Sequence, residues 1–196
     1  LKVGEFQPGG VYKSTDGGIS WQPALNGLKL QSHKDRDSAS HYKTLAVAPS
    51  NPDVMLTCDY RSWGRYEYKD VDGGTSILWG PTTFKSTDGG RAWRPVLKHR
   101  ARDQGCYTAY SALENTVIEF DPHNAERAFM GSSMCLLRTP DGGKTWTDAT
   151  SYRPDPNQPE LWRGRGYSGL CSANFAFNPR DPNHAVLLGL DNAFWQ

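Results

Sequence analysis

Three stretches of this 196-residue sequence concentrate the side chains that do acid–base and sugar chemistry. Residues 59–80 carry Asp59, Tyr60, Arg61, Trp63, Arg65, Tyr66, Tyr68, Asp70, Asp72 and Trp79. Residues 98–114 carry His99, Arg100, Arg102, Asp103, Tyr107, Tyr110 and Glu114. Residues 150–172 carry Tyr152, Arg153, Asp155, Glu160, Trp162, Arg163, Arg165 and Tyr167. Cleaving a glycosidic bond takes two carboxylates about 5–9 Å apart, one of them kept protonated. Asp59, Asp70, Asp72, Asp103, Glu114, Asp155 and Glu160 supply carboxylates, but no spacing singles out a pair, and no catalytic residue is assigned. Each one alone also reads as a salt-bridge partner or a turn acceptor. Flat rings stack on sugar faces, and guanidinium forks bind carboxylates two bonds at a time. On that chemistry the expected ligand-binding set is Tyr60, Trp63, Arg65, Tyr66, Trp79, Arg102, Tyr107, Trp162, Arg163, Arg165 and Tyr167. Arg over Tyr or Trp is equally a way of holding a long loop together internally, and both readings stand.

Other chemistries find little support. The five histidines, at 33, 41, 99, 123 and 184, have no metal-ligand spacing, and Cys58, Cys106, Cys135 and Cys171 have no paired zinc pattern. No metal and no cofactor is expected. No nucleophile–His–Asp arrangement or phosphate-cradling glycine loop is present. A net charge of +1 argues against a nucleic-acid partner. No apolar run approaches the roughly 18 residues of a membrane span. The even cysteine count permits two bridges if the protein is exported, pairing Cys106 with Cys58 or Cys135 and Cys171 with the one left over. Four separate thiols are the alternative.

The elements that must position these loops read as short strands. Gly 20, Pro 13, Trp 7 and Tyr 9 suit a turn-rich all-β chain. One phrase occurs three times: Ser14-Thr15-Asp16-Gly17-Gly18-Ile19-Ser20-Trp21, Ser86-Thr87-Asp88-Gly89-Gly90-Arg91-Ala92-Trp93 and Thr139-Pro140-Asp141-Gly142-Gly143-Lys144-Thr145-Trp146. A basic residue precedes each copy, at Lys13, Lys85 and Arg138. Asp-Gly between strand-like runs marks a hairpin, because glycine takes a positive φ without a Cβ clash. The Asp can accept hydrogen bonds from the turn's amides, and the Trp can cover the hairpin. Asp16, Trp21, Asp88, Trp93, Asp141 and Trp146 are therefore read as structural.

The phrase resembles the Asp-box, or bacterial neuraminidase repeat, with Ala92 departing from the Thr/Ser of its pattern. A companion phrase recurs between the copies, at Leu45–Pro52, Val117–Pro122 and Phe175–Pro182. The resemblance implies a β-propeller. It does not fix one activity, since box-bearing propellers include sialidases, xyloglucan hydrolases, sorting receptors and photosystem assembly factors. The sialidase mark Phe-Arg-Ile-Pro is absent from the sequence. The expected fold is an all-β propeller fragment of about three four-stranded blades, with blade pieces at about 1–25, 44–97, 115–149 and 174–196. A fourth box is expected to follow residue 196, because Phe194-Trp195-Gln196 matches the lead-in to the earlier boxes.

Strands in a blade alternate direction, so the boxes and the Pro-Ser-Asn-Pro type turns share one face. The long segments 29–43, 59–80, 98–114 and 150–172 then gather on the other. Long loops on one face of a rigid scaffold are where binding resides. The expected protein is extracellular or of the cell envelope, and binds or hydrolyses a polysaccharide on that face. The alternative is a non-catalytic assembly propeller contacting protein through the same face or through open sheet edges.

Overall fold

A computed structural model describes residues 10–30, 41–60, 65–97, 117–131, 136–166 and 172–189. In chain order the strands are β1 (Tyr12–Lys13), β2 (Gln22–Pro23), β3 (His41–Val47), β4 (Met55–Tyr60), β5 (Arg65–Lys69), β6 (Thr75–Trp79), β7 (Thr82–Ser86) and β8 (Arg94–Leu97). They continue as β9 (Val117–Asp121), β10 (Asn124–Gly131), β11 (Leu136–Thr139), β12 (Thr147–Asp148), β13 (Ser151–Tyr152), β14 (Arg163–Gly164), β15 (Ser172–Asn178) and β16 (Asp181–Gly189). Every pairing is antiparallel, and among the described residues there is no helix.

Two four-stranded sheets have the order β3-β4-β7-β8 and β9-β10-β11-β12. β1-β2, β5-β6, β13-β14 and β15-β16 are two-stranded. The registers of the two larger sheets correspond. Leu56 pairs with Lys85 across β4 and β7, and Phe129 pairs with Arg138 across β10 and β11. In both, the basic residue before the repeated phrase sits one step inside the turn.

The turns between β3 and β4, β9 and β10, and β15 and β16 repeat one device. Asn51, Asn124 and Asp181 each accept, through the side chain, the amide two residues on, from Asp53 (3.2 Å), Glu126 (2.9 Å) and Asn183 (3.0 Å). A short polar side chain closing on its own backbone fixes a turn without help from the core. The first two of these turns touch the repeated phrase of their own sheet. Gly89 donates its amide to Asp53 O at 3.0 Å, and Gly142 donates to Glu126 O at 2.7 Å.

Two apolar clusters hold the sheets. The first joins the two large sheets through Leu56, Cys58, Leu97, Phe120, Met130, Leu137 and Trp146. The second gathers Val11, Leu28, Tyr68, Leu78, Phe84 and Trp93. That second cluster corrects one expectation. Residues 59–80 do not form a long loop standing on the loop face; most of the segment is the β5–β6 hairpin, folded against the sheet. Tyr68 is buried and its hydroxyl donates to Gly27 O at 2.7 Å and to Trp93 O at 3.2 Å. The tip reaches Arg94, whose guanidinium takes both oxygens of Asp72, one of them at 2.8 Å. The physical reason is period-two patterning, since Tyr68 and Leu78 present apolar surface that water would otherwise cover. The segment 150–172 likewise contains paired strands, β13 and β14, where a plain loop was expected.

Candidate functional site

The β13–β14 ribbon builds an aromatic-lined cleft. Ser151 pairs with Gly164 and Tyr152 with Arg163. Arg165 extends the ladder, donating its amide to Thr150 O at 2.8 Å. Carrying the register on places Arg165 diagonal to Tyr152 and Arg153 opposite Trp162, and those are the side chains that meet. The Arg165 guanidinium carbon lies 4.7 Å from the centre of the Tyr152 ring. That of Arg153 lies 4.6 Å from the Trp162 ring. Both distances are within cation–π range.

The cleft has a volume of about 250 Å³ and is lined by Thr147, Asp148, Ser151, Tyr152, Arg153, Trp162 and Arg165. Asp148 is its rigid base. Its Oδ1 accepts the Thr150 amide at 2.7 Å, the Thr150 hydroxyl at 2.5 Å and the Ser151 amide at 3.1 Å. Its Oδ2 accepts the Ser151 hydroxyl at 2.5 Å. One buried carboxylate thus starts the ribbon by satisfying four donors. Asp155 closes the connecting loop, accepting the Asn157 amide at 2.8 Å and the Gln158 side-chain amide at 3.2 Å.

The three repeated phrases form the same turn. Each has two successive glycines in the left-handed region, at φ 73° and 91°, 71° and 85°, and 71° and 92°. The first hydroxyl, on Ser14, Ser86 or Thr139, donates to the Asp carboxylate at 2.7, 2.8 and 2.9 Å. It also accepts the amide of the second glycine at 2.8–2.9 Å. The Asp then accepts the amide four residues on, from Ser20, Ala92 or Thr145, at 3.0, 3.0 and 2.9 Å. In the first and third copies the Ser20 and Thr145 hydroxyls add a bond at 2.6 Å; Ala92 has none to give. The Ser20 hydroxyl, then its amide, hold Asp16 down to about 2, and the Thr145 hydroxyl and amide lower Asp141 in the same way. At Asp88 partial burial pushes upward, but the Ala92 amide and Ser86 hydroxyl outweigh it and the carboxyl is lowered. These carboxylates anchor the backbone of their own turns.

The repeats also lock onto one another. Lys13 Nζ donates to Gly89 O at 2.9 Å, and Lys85 Nζ donates to Gly142 O at 3.0 Å. Each lysine therefore reaches the turn of the following repeat. The Trp of that turn packs back: Trp93 is fully buried and its Nε1 donates to Ala24 O at 2.9 Å. Trp146 is buried in the first cluster.

Comparison with solved structures finds propellers. The Niastella koreensis GH74 enzyme matches with a TM-score of 0.51 and 21% identity, over 88% of this chain and 21% of its own. The GH74 xyloglucanase from Xanthomonas campestris matches at 0.43 and 16%, over 65% of this chain and 17% of its own. An ancestral GH74 enzyme matches at 0.43 and 19%, over 87% and 23%. This chain has an all-β, propeller-type fold. It spans about a fifth of the length of the solved structures it matches. No protein-family model and no curated protein matches it.

With that fold in hand, the four-stranded sheets are blades, and the expected site residues can be placed. Trp162 and Arg165 line the cleft, and Arg163 sits beside them, exposed on β14. The backbones of Tyr60, Arg65, Tyr66 and Trp79 lie in β4, β5 and β6, with Arg65 paired to Trp79 and Tyr66 to Leu78. Trp63, Arg102, Tyr107 and Tyr167 lie outside the described residues, as do Cys106, Cys135 and Cys171. Tyr152 and Arg153 belong to the cleft but were missing from the binding set; their place beside Trp162 and Arg165 follows from ribbon pairing that a Pro-rich stretch conceals.

The carboxylates have other work. Asp59 is fully buried against Lys29 at 3.2 Å and also accepts the His41 amide at 3.1 Å. Burial pushes the Lys29 ammonium down, and the Asp59 charge opposes that. Asp70 and Asp72 face Arg94. Asp103 and Glu114 lie outside the described residues. Among the described residues no group of His, Cys, Asp and Glu is arranged to hold a metal ion, and no helix is long and apolar enough to cross a membrane.

Proposed function

We propose that this chain is part of an extracellular Asp-box propeller, with blade pieces at about 1–25, 44–97, 115–149 and 174–196, that binds glycan through the β13–β14 cleft. The observation that carries the reading is the pair of Arg–aromatic stacks lining one open cavity outside both apolar clusters. Three copies of one hydroxyl–Asp–Gly–Gly turn support the Asp-box assignment. The likeness to the Niastella koreensis GH74 enzyme supports a polysaccharide as ligand. Binding is favoured over hydrolysis because Asp148, whose oxygens are taken by Thr150 and Ser151, is the one acid among the described residues that line the cleft.

The test is retention of the chain on immobilised polysaccharides, neutral and acidic, with reducing ends assayed in parallel. Binding to at least one polymer without new reducing ends is expected. Trp162→Ala and Tyr152→Ala remove the ring of each Arg–aromatic stack and should weaken binding at least about tenfold, about 1.4 kcal/mol, with thermal unfolding showing intact fold. Failure on every polymer, or retention unaffected in both variants, overturns the reading.

A further inference from the structure

Building on the glycan reading, the geometry points to a carboxylate-bearing polysaccharide, a polyuronate, as the ligand of the β13–β14 cleft, held by the guanidinium groups of Arg153 and Arg165 rather than by bare ring faces. In each stack the guanidinium covers one face of the ring. A guanidinium over a ring keeps its N–H donors at its rim, in a planar fork that matches a carboxylate. Two such rims on one cavity of about 250 Å³ form a matched pair of forks for carboxylates.

The charge balance points the same way. Two other described arginines take acids, Arg94 with Asp72 and Arg127 with Asp121 at 3.1 Å, while Arg91 and Arg138 donate to a backbone carbonyl and to the Thr147 hydroxyl. No described carboxylate pairs with Arg153, Arg163 or Arg165, although Asp155 and Glu160 lie in the same loop. Asp148, the one acid of the lining, has its oxygens occupied by Thr150 and Ser151. A neutral sugar would leave the arginines' charge unanswered on burial, whereas a uronate answers it.

The experiment compares polygalacturonate with the same polymer after methyl esterification, which removes the charge and keeps the sugar backbone. Neutral xyloglucan and dextran sulfate complete the panel. Polygalacturonate should bind, and its methyl ester at least about tenfold more weakly. Arg153→Lys and Arg165→Lys keep the charge but lose the planar fork; each should cost roughly tenfold on polygalacturonate, with unfolding temperature unchanged because both side chains are exposed. Equal binding of ester, xyloglucan and acid would overturn the uronate inference and leave the glycan reading intact. Equal binding of dextran sulfate, with both Lys variants unaffected, would mean generic polyanion attraction and would also overturn it. No binding to any polysaccharide would overturn both.

Discussion

At the scale of single residues, the turn of the second blade lacks one bond. Ser20 and Thr145 give their Asp a hydroxyl at 2.6 Å, and Ala92 stands in that position in the second copy. The backbone there is the same, with Ala92 N donating to Asp88 at 3.0 Å, so a hydroxyl added at Cβ is aimed at the second carboxylate oxygen. Ala92→Thr should therefore stabilise the chain by about 1 kcal/mol, a hydrogen bond to a charged acceptor net of desolvation, read as a higher unfolding temperature. The gain depends on an ionised Asp88. That carboxyl is lowered on folding, so the gain is complete above the ordinary aspartate range near about 4. It should fade as pH falls through the lowered folded value. A lower unfolding temperature at neutral pH would show that the turn has no room for the side chain.

At the scale of elements, the β5–β6 hairpin shows what the sequence conceals and what it displays. Arg65-Tyr66-Glu67-Tyr68-Lys69 alternates polar with aromatic, and Asp72-Gly73-Gly74 follows with Gly73 at φ 81°. Alternation into Asp-Gly is the strongest short-range hairpin signal, yet the density of Arg, Tyr and Trp invites a reading as binding loop. Tyr68 was legible there and its burial was not, because that burial depends on Val11, Leu28 and Trp93, which are distant in sequence. The β13–β14 ribbon was hidden differently. Its strands are two residues each, too short for any period to register. The Asp-to-amide bonds of the repeated turns were legible, because they lie within seven residues; the Trp was expected to cover its own hairpin, but Trp93 instead reaches Ala24 of the preceding repeat and Trp21 is exposed. Tyr68→Phe tests the docking of the hairpin. It removes the hydroxyl shared by Gly27 O and Trp93 O and should cost about 1–2 kcal/mol, with faster amide exchange across 65–79. Unchanged exchange there would mean that apolar packing alone seats the hairpin.

At the scale of the whole molecule, neighbouring blades are joined by contacts that no local pattern announces. Lys13 and Gly89 are 76 residues apart, and Lys85 and Gly142 are 57 apart. Lys85 also faces Glu126 at 3.6 Å. Lys85→Met should loosen the seam between second and third blades by about 1 kcal/mol, lowering the unfolding temperature. If it leaves that temperature unchanged, apolar packing around Trp146 carries the seam without the lysine. The three Trp residues report the same seams: Trp93 and Trp146 are 0% and 2% exposed, while Trp21, in an identical turn, is 57% exposed. Burial of that ring depends on a preceding blade's outgoing strand, here the stretch around Ala24. Because Lys13 and Lys85 each meet a glycine carbonyl at the same position of the next turn, the two described seams use one fastener. Genes built this way can gain or lose a whole unit through misaligned recombination between copies, and the new junction meets parts it already fits. Lineages descended from such a chain should then differ by entire blades, with their breakpoints falling in the connections and sparing the turns.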